Sequence, residues 1–355
     1  MLNVNRRTLL RASGAAGFSA LAVAASAQPA HAEPTDPAAP VPDELYENLP
    51  VEEPDQGPGA RASAGVGAVL WGSSSADSFR AGEPSAVRRI TIHEEMTRLG
   101  IPTIRHAFGG WRSPAILAIR SKNHPIRPNY SFAGANGELP GSGKIFLPTT
   151  NRIVPDTVTS QLPGTVSGQP VNLQLVRARL RKVQLTRTSS GAPITVGNSA
   201  AGYWRTAWED AERGKIHLLW MGKNNSGDVQ GVLNDTRAAY DVESGRSIVM
   251  SHWFTWWDRL GTVGHPNITA INNAYRNTYG QKYFDSTAAL WDSRWWNVPE
   301  IRPLNIAGRG DNAERRRLGL PPRPFIADDT FHLNSYGNLV IAYALNAKIR
   351  GLGWA

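Results

Sequence analysis

The chain has 355 residues, a formal net charge of +9 and no cysteine. The lack of cysteine excludes disulfides, thiolate catalysis and cysteine-ligated metal, so burial of apolar side chains has to stabilise the fold. Lysine and arginine are scattered, and the densest basic runs, 177–182 and 315–317, are short. A solvated surface therefore explains the charge better than a nucleic-acid partner, although anionic cell-wall polymers or phospholipid headgroups would also suit it.

The first 32 residues have the pattern of an export signal. Arg6-Arg7 precede a stretch of small and apolar residues to about residue 27, and Ala30-His31-Ala32 is typical of a cleavage site. The paired arginines predict twin-arginine export and a secreted protein. A membrane anchor is the alternative, but the stretch is shorter than the roughly 20 residues of a spanning helix, so we expect no stable membrane insertion. Removal of this leader would lower the formal charge from +9 to +6.

The rest of the chain divides by composition. Residues 33–62 combine proline, alanine and acidic side chains and predict a disordered linker. Beyond them, apolar runs alternate with helical patterns, which is typical of an α/β domain, here discontinuous over 63–120 and 201–355. We predict strands over 66–71, 101–105, 216–221, 247–251 and 282–284, and helices over 85–99 and 338–349.

Residues 121–200 follow a different pattern. Glycine and proline turns separate short runs over 144–147, 171–176 and 182–186 that alternate in polarity or carry β-branched side chains. This pattern predicts a mostly β subdomain inserted into the α/β domain.

Candidate catalytic residues lie at the two ends of the α/β domain. Asp329 precedes His332 by three residues, just before a turn of small residues and an apolar helix. At the other end, Gly72-Ser73-Ser74 follows the run 66–71, where a buried strand would end. A serine that can meet a histidine and an aspartate indicates nucleophilic catalysis. The chemistry of the hydroxyl alone does not choose between the two serines.

Two further segments follow predicted strands. Gly110 comes after 101–105, where a glycine lets the backbone approach a ligand without a Cβ in the way. Gly202 is the other candidate for this close approach to a ligand. Gly110 is preferred because it lies only 36 residues after Ser74, which is one βαβ step. Asn224 comes after 216–221; an isolated asparagine at that position is often only a turn residue.

Taken in order, Ser74, Gly110, Asn224 and Asp329 with His332 resemble the blocks of the SGNH/GDSL hydrolases. The resemblance covers about 65–120 and 200–355. It implies a flavodoxin-like, three-layer α/β/α core around a parallel sheet of about five strands.

The resemblance also implies roles. Ser74 would be the nucleophile, His332 the general base and Asp329 the group that orients the imidazole. The N–H groups of Ser74 and Gly110 and the amide of Asn224 would form the oxyanion hole. Neither a metal nor a cofactor is expected.

The family implies a serine carboxylic-ester hydrolase. We expect acetyl or other short acyl esters, on carbohydrate or cell-wall polymer, as substrates. A lipid acylhydrolase is one alternative. A surface carbohydrate-binding protein with weakened catalysis is another, because Ser73 replaces the aspartate of the Gly-Asp-Ser block and Asn225 replaces a common aspartate of the third block. The oligomeric state stays open.

Other residues invite different readings. The lipase signature G-x-S-x-G is absent from the sequence, which argues against the α/β-hydrolase fold. His93-Glu94-Glu95 is the nearest pattern to a metal site, but a solvated helical face explains it better. His217 is expected in the core.

Tryptophans are the remaining candidates for ligand contact. Trp111, Trp253 and Trp256 are candidate substrate-binding side chains, because exposed indole rings stack on sugars. Packing is the alternative, and we expect it for most of the clustered tryptophans, which include Trp257, Trp295 and Trp296.

Overall fold

The computed structural model describes residues 66–85, 87–127, 138–148, 161–176, 182–196 and 200–355. The predicted leader over 1–32 and linker over 33–62 lie outside the described residues. The described residues all belong to one unit, Pro40–Ala355.

The strands of the described residues are, in chain order, β1 (Ala68–Gly72), β2 (Thr103–Ala107), β3 (Glu138–Leu139), β4 (Lys144–Pro148), β5 (Gln161–Leu162), β6 (Gly164–Val166), β7 (Gln169–Val176), β8 (Lys182–Arg187), β9 (Ile194–Thr195), β10 (Arg205–Thr206), β11 (Ile216–Trp220), β12 (Ser247–Met250) and β13 (Tyr283–Phe284). The α-helices of the same residues are α1 (Ile92–Arg98), α2 (Ser113–Arg120), α3 (Trp208–Ala211), α4 (Val229–Asp241), α5 (His265–Tyr279), α6 (Ser286–Leu290), α7 (Ser293–Trp296), α8 (Asn312–Arg317) and α9 (Ser335–Gly351).

The main sheet has five strands in the order β13-β12-β11-β1-β2. Every neighbouring pair is parallel; in β1, for example, Val69 lies opposite Ile104 of β2 and His217 of β11. Counted along the chain, this is the 2-1-3-4-5 order of flavodoxin-like sheets. The direction of the strand order reverses between β1 and β11, and such a reversal leaves a crevice at the carboxyl ends of the strands.

Both faces of the main sheet are buried. Side chains alternate along β1, so that Ala68 and Leu70 join one apolar cluster with α1 and α9, while Val69 and Trp71 join another with α2, α4 and α5. Burial on both faces is typical of a parallel sheet covered by helices. The predicted α/β core with a parallel five-stranded sheet is confirmed.

Antiparallel strands occupy much of the described chain between α2 and β11. One sheet has the order β10-β6-β7-β8-β4 with β5 paired to β7, and β3 pairs with β9. The buried side chains of the larger antiparallel sheet, such as Leu173 and Leu185, belong to the same apolar cluster as Trp71. Trp204 is bonded to the larger antiparallel sheet, because its Nε1 donates to the carbonyl of Val171 in β7 over 3.0 Å.

The helix predicted over 85–99 is shorter in the structure, which corrects that expectation. The α-helix begins only at Ile92, where the side chain of Thr91 caps it. The segment before it pairs with α9 instead: Ile90 N–H donates to Ser335 Oγ over 3.3 Å, and Asn338 Nδ2 donates to the Ile90 carbonyl over 3.0 Å. These long-range bonds replace the helical bonds that the local pattern favoured.

Other boundaries shift less. The strand predicted over 101–105 is β2, two residues later, and the helix predicted over 338–349 is α9, three residues earlier at its start. The early start follows from Asn334, whose side chain accepts from Gly337 N–H over 3.1 Å and caps the helix. Within the ranges given above, no helix is long and apolar enough to cross a membrane.

Candidate active site

Ser74, His332 and Asp329 form a chain of hydrogen bonds. Ser74 Oγ lies 2.9 Å from His332 Nε2, and His332 Nδ1 lies 2.6 Å from Asp329 Oδ2. An ionised carboxylate can only accept, so Nδ1 carries a proton and Nε2 is left to accept from the serine hydroxyl. Of the two candidate serines, the structure brings Ser74 to the histidine.

The turn that carries Ser74 requires a glycine before it. A Cβ on Gly72 would lie 2.6 Å from Ala76 Cβ and 2.8 Å from the carbonyl oxygen of Trp220. After this point the chain folds back on itself, since Asp77 N–H donates to Ser73 O over 2.8 Å and Phe79 N–H donates to Ser74 O over 3.1 Å. The end of β1 is therefore packed directly against β11, and Ser74 sits at a fixed place beside it.

Asp329 is held in its charged form. Burial raises its pKa, but its bond to the His332 ring and two main-chain N–H bonds to the other oxygen together outweigh burial and hold the pKa well below its usual value. Those N–H groups belong to Phe331 and His332, and both lie 2.9 Å from Oδ1. The short turn 329–332 thus orients its own carboxylate.

Arg80 is a further partner of Asp329. Its Nε lies 3.2 Å from Asp329 Oδ2, the same oxygen that meets His332 Nδ1. Its Nη1 donates to Glu83 Oε1 over 2.8 Å, and Glu83 Oε2 accepts from Asp328 N–H over 3.1 Å. The Arg80–Glu83 pair therefore fixes the Asp328–Asp329 segment against the segment that follows Ser74. Sequence analysis missed Arg80, which lies 249 positions from Asp329 and has no motif of its own.

The start of α9 is fixed to the same segment. Ser335 N–H donates to the Glu83 carbonyl over 3.0 Å, and the Ser335 hydroxyl is bonded to the Ala81 carbonyl. Because α9 begins three residues after His332, these bonds set the position of the imidazole relative to Ser74.

Hydrogen bonds join the segments that carry the candidate oxyanion residues to the end of β1 and to each other. Gly110 has a φ of +75°, a conformation that favours glycine. Phe108 N–H donates to the Gly72 carbonyl over 3.2 Å, and Asn224 Nδ2 donates to the Trp111 carbonyl over 2.9 Å. A side-chain amide has two N–H donors, so this bond orients Asn224 and leaves its second donor for a ligand.

Asn225, which stands where the family that the sequence resembles has a common aspartate, makes two hydrogen bonds through its amide. Its Oδ1 accepts from Ser113 N–H, and its Nδ2 donates to Ser113 Oγ, each over 3.0 Å. Ser113 Oγ in turn donates to Asp235 Oδ2 over 2.6 Å. A carboxylate at 225 would have no donor for this hydroxyl, so the amide suits its surroundings and joins the Asn224 turn to α2. Ser73, the other departure, is 3% exposed.

Lys223 joins the Asn224 turn to the loop after β12. Its buried ammonium pairs with the Asp258 carboxylate and donates to the Trp253 carbonyl over 3.0 Å. Burial lowers the pKa of Lys223, and Asp258 opposes that effect. Sequence analysis missed this pair, because nothing local relates the two residues.

The candidate tryptophans differ in exposure. Trp111 and Trp253 are 0% and 2% exposed, so neither offers a ring face to a ligand. Trp111 stacks on Phe108, whereas Trp253 Nε1 donates to the Phe331 carbonyl over 3.2 Å, next to His332. Trp256 is half-buried, and the Arg259 guanidinium lies 3.8 Å from its ring centroid.

An exposed ring beside the triad is Phe79. Its side chain is 58% exposed, and its centroid lies 5.3 Å from that of the His332 ring. Sequence analysis did not single out this residue.

The metal alternative finds no support in the described ranges, where no group of three or more His, Asp or Glu side chains is placed to hold a metal ion. The expectation of a solvated face at His93-Glu94-Glu95 is wrong for Glu95. That residue is 1% exposed, and its carboxylate meets Arg98 Nε at 2.9 Å and Arg88 Nη2 at 3.3 Å.

His217 is a core histidine, as expected. It is 0% exposed, accepts from Trp71 Nε1 over 3.1 Å and lies 3.1 Å from Glu243 Oε2. Burial lowers its pKa to about 3. The competing glycine, Gly202, is buried in the turn Ala200–Gly202 beside the antiparallel strands, where the Ala201 carbonyl accepts from Ser167.

The assembled residues lie at the place where sheets of this strand order bind ligands. Ser74 follows β1 and Asn224 follows β11, the two strands between which the strand order reverses. A hydroxyl bonded to an imidazole that is oriented by a carboxylate can act as a nucleophile. No protein-family model matches the sequence, and no curated protein matches it significantly.

Proposed function

We propose that this chain is an exported serine esterase of the SGNH type that hydrolyses short acyl esters on carbohydrate or cell-wall polymer. The observation that carries the proposal is the Ser74–His332–Asp329 chain of hydrogen bonds at the carboxyl edge of a parallel sheet. The antiparallel strands between α2 and β11 would be an insertion in that fold.

The geometry supports a two-step acyl transfer. His332 Nε2 takes the hydroxyl proton as Ser74 Oγ attacks the acyl carbon, and returns it to the leaving alcohol. Asp329, already ionised, stabilises the imidazolium. A water molecule, activated by the same imidazole, then attacks the acyl-enzyme, releases the acid and restores Ser74.

The oxyanion would be met by main-chain N–H groups of Ser74 and Gly110 and by the second N–H of Asn224. One such donor contributes about 100- to 1,000-fold to the rate in serine hydrolases. The bond from Asn224 to the Trp111 carbonyl fixes its amide before a substrate binds, which is the preorganisation that this kind of stabilisation requires.

The test is hydrolysis of p-nitrophenyl acetate by the wild type and two matched variants. Ser74→Ala removes the nucleophile and is expected to lower kcat at least about 1,000-fold. Ser73→Ala, one residue away, is expected to change kcat less than about tenfold. A serine-directed organophosphorus probe should label the wild type and Ser73→Ala but not Ser74→Ala.

The opposite pattern would contradict the proposal. Activity that survives Ser74→Ala, or a wild type that neither turns over the ester nor takes up the probe, leaves the triad without a function as a nucleophile. A second candidate, a lipid acylhydrolase, is favoured by the exposed Phe79 ring beside His332. Rates on p-nitrophenyl esters of increasing chain length separate the two, because a lipid enzyme prefers the longer chains.

A further inference from the structure

A cavity of about 450 Å³ lies beside the edge strand β13, between α5 and α6. None of the catalytic candidates lines it. Its volume falls within the range of small-molecule sites. Among the side chains that line it are Phe254, Asn272, Arg276, Tyr283, Thr287 and Trp291.

Aromatic rings form part of the wall and are fixed in place. Phe254 stacks on His265 with 4.7 Å between ring centroids. Trp291 Nε1 donates to the Leu320 carbonyl over 3.0 Å, and the Arg316 guanidinium lies 4.2 Å from the Trp291 ring centroid. Rigid aromatic side chains present apolar area at little cost in conformational entropy, and the C–H faces of sugar rings pack on such surfaces.

The polar groups of the wall suit an uncharged ligand. Arg276 Nη2 lies 2.7 Å from Asp285 Oδ2, so the two charges compensate each other. Asn272 is fixed by two bonds to the main chain of His252, one through Oδ1 over 2.9 Å and one through Nδ2 over 2.8 Å. Fixed amide, carboxylate and guanidinium groups bind neighbouring hydroxyls of a sugar ring, whereas a purely apolar chain would leave them unpaired.

We propose that this cavity binds a neutral sugar unit of an oligosaccharide or polysaccharide. The inference deepens the proposed function and depends on it only in assigning the bound glycan to the substrate. β13 lies three strands from β1, roughly 14 Å at the usual strand spacing, and the cavity lies at the same carboxyl edge as Ser74. A monosaccharide cannot span that distance, so a substrate held at both places is a polymer with its ester group at the triad.

Hydrogen bonds connect the two places. Asn272 lines the cavity and holds the main chain of His252, and His252 Nε2 donates to the Met221 carbonyl over 2.8 Å. Met221 directly precedes the Gly222-Lys223-Asn224 turn. The cavity is therefore linked through His252 to the strand end that precedes Asn224.

The experiment measures binding of the full chain to an array of unesterified xylo-, cello-, manno- and N-acetylchito-oligosaccharides. At least one series is expected to bind. Arg276→Gln changes a side chain that is 57% exposed and removes the guanidinium from the wall, so it should fold as the wild type does and bind about three- to tenfold more weakly. Trp291→Ala should weaken binding at least about tenfold. Trp257→Ala, at a half-exposed tryptophan outside the cavity, is the matched control and should bind normally.

Binding to none of the four series, or equal binding by the wild type, Arg276→Gln and Trp291→Ala, would overturn the inference. Hydrolysis of p-nitrophenyl acetate, measured on the same proteins, keeps the two proposals apart. Normal hydrolysis without glycan binding removes the sugar site and leaves the esterase. Glycan binding that is weakened in Arg276→Gln and Trp291→Ala, together with no hydrolysis by the wild type, supports the sugar site and removes the esterase.

Discussion

Asp329 Oδ2 is shared between two cationic or potentially cationic partners, His332 Nδ1 and Arg80 Nε. This arrangement adds a fixed positive charge to a catalytic unit that must itself become positive when the imidazole takes the serine proton. Arg80 therefore acts through Asp329, because it positions the carboxylate that orients the imidazole.

We expect Arg80→Gln to lower kcat about threefold to tenfold, because one bond to the carboxylate is lost. Arg80→Lys keeps a cationic donor and should lose less activity. Hydrolysis of p-nitrophenyl acetate measures both rates, and a rate of Arg80→Gln equal to that of the wild type would show that Arg80 does not position Asp329.

At the scale of elements, the catalytic residues depend on how β1 ends. Gly72 is the last residue of β1, and its lack of a side chain lets the Ser74 turn pack on Ala76 and on the Trp220 carbonyl of β11. An added methyl group must push apart two strands whose carboxyl ends carry the nucleophile and the oxyanion turn.

Gly72→Ala should therefore lower the free energy of unfolding by about 1–3 kcal/mol and reduce kcat about 100-fold, because the serine is displaced from His332. Chemical denaturation and p-nitrophenyl acetate hydrolysis measure the two effects. Gly82→Ala is the control from the same segment, since a Cβ there meets no atom within 4 Å. Equal stability and activity of the two variants would show that the close approach at Gly72 has no consequence.

The pattern of apolar residues along the sequence predicted those strands that form because their own side chains are buried. The apolar run before Ser74 and the apolar runs that became β11 and β12 are strands, because each is buried on both faces. The start of α1 was not predictable, because the bonds from Ile90 to α9 that displace it join residues 245 positions apart.

The same distinction holds for the candidate site. Asp329 and His332 could be paired from the sequence, because both lie in one short turn. The contacts of Arg80 and Lys223 and the burial of Trp111 depend on segments that only the folded chain brings together. No residue type or spacing in the sequence predicts them.

At the scale of the whole molecule, the parallel sheet places charged and titratable groups between two apolar clusters. His217 lies on β11 within this buried layer, and His252 follows β12 and is 2% exposed. Burial lowers the pKa of each to about 3, and the nearby Lys223 ammonium adds to the effect at His252. Both histidines are therefore neutral in the folded protein at neutral pH, and His252 can donate to the Met221 carbonyl through Nε2.

The two histidines should make folding stability depend on pH. A histidine of the unfolded chain titrates near pH 6.5, above its folded pKa of about 3, so between these values the unfolded state binds more protons. The free energy of unfolding is then highest above pH 6.5 and falls as the pH is lowered, by up to about 1.4 kcal/mol per pH unit for each histidine. Urea unfolding at pH 7, 6 and 5 measures the slope, and carboxylates contribute little there because their ordinary pKa lies lower.

His252→Gln retains an amide donor for Met221 but cannot titrate, so its slope should be clearly shallower than that of the wild type. A variant slope equal to the wild-type slope would mean that His252 is already protonated in the folded state, or is not buried as the structure has it.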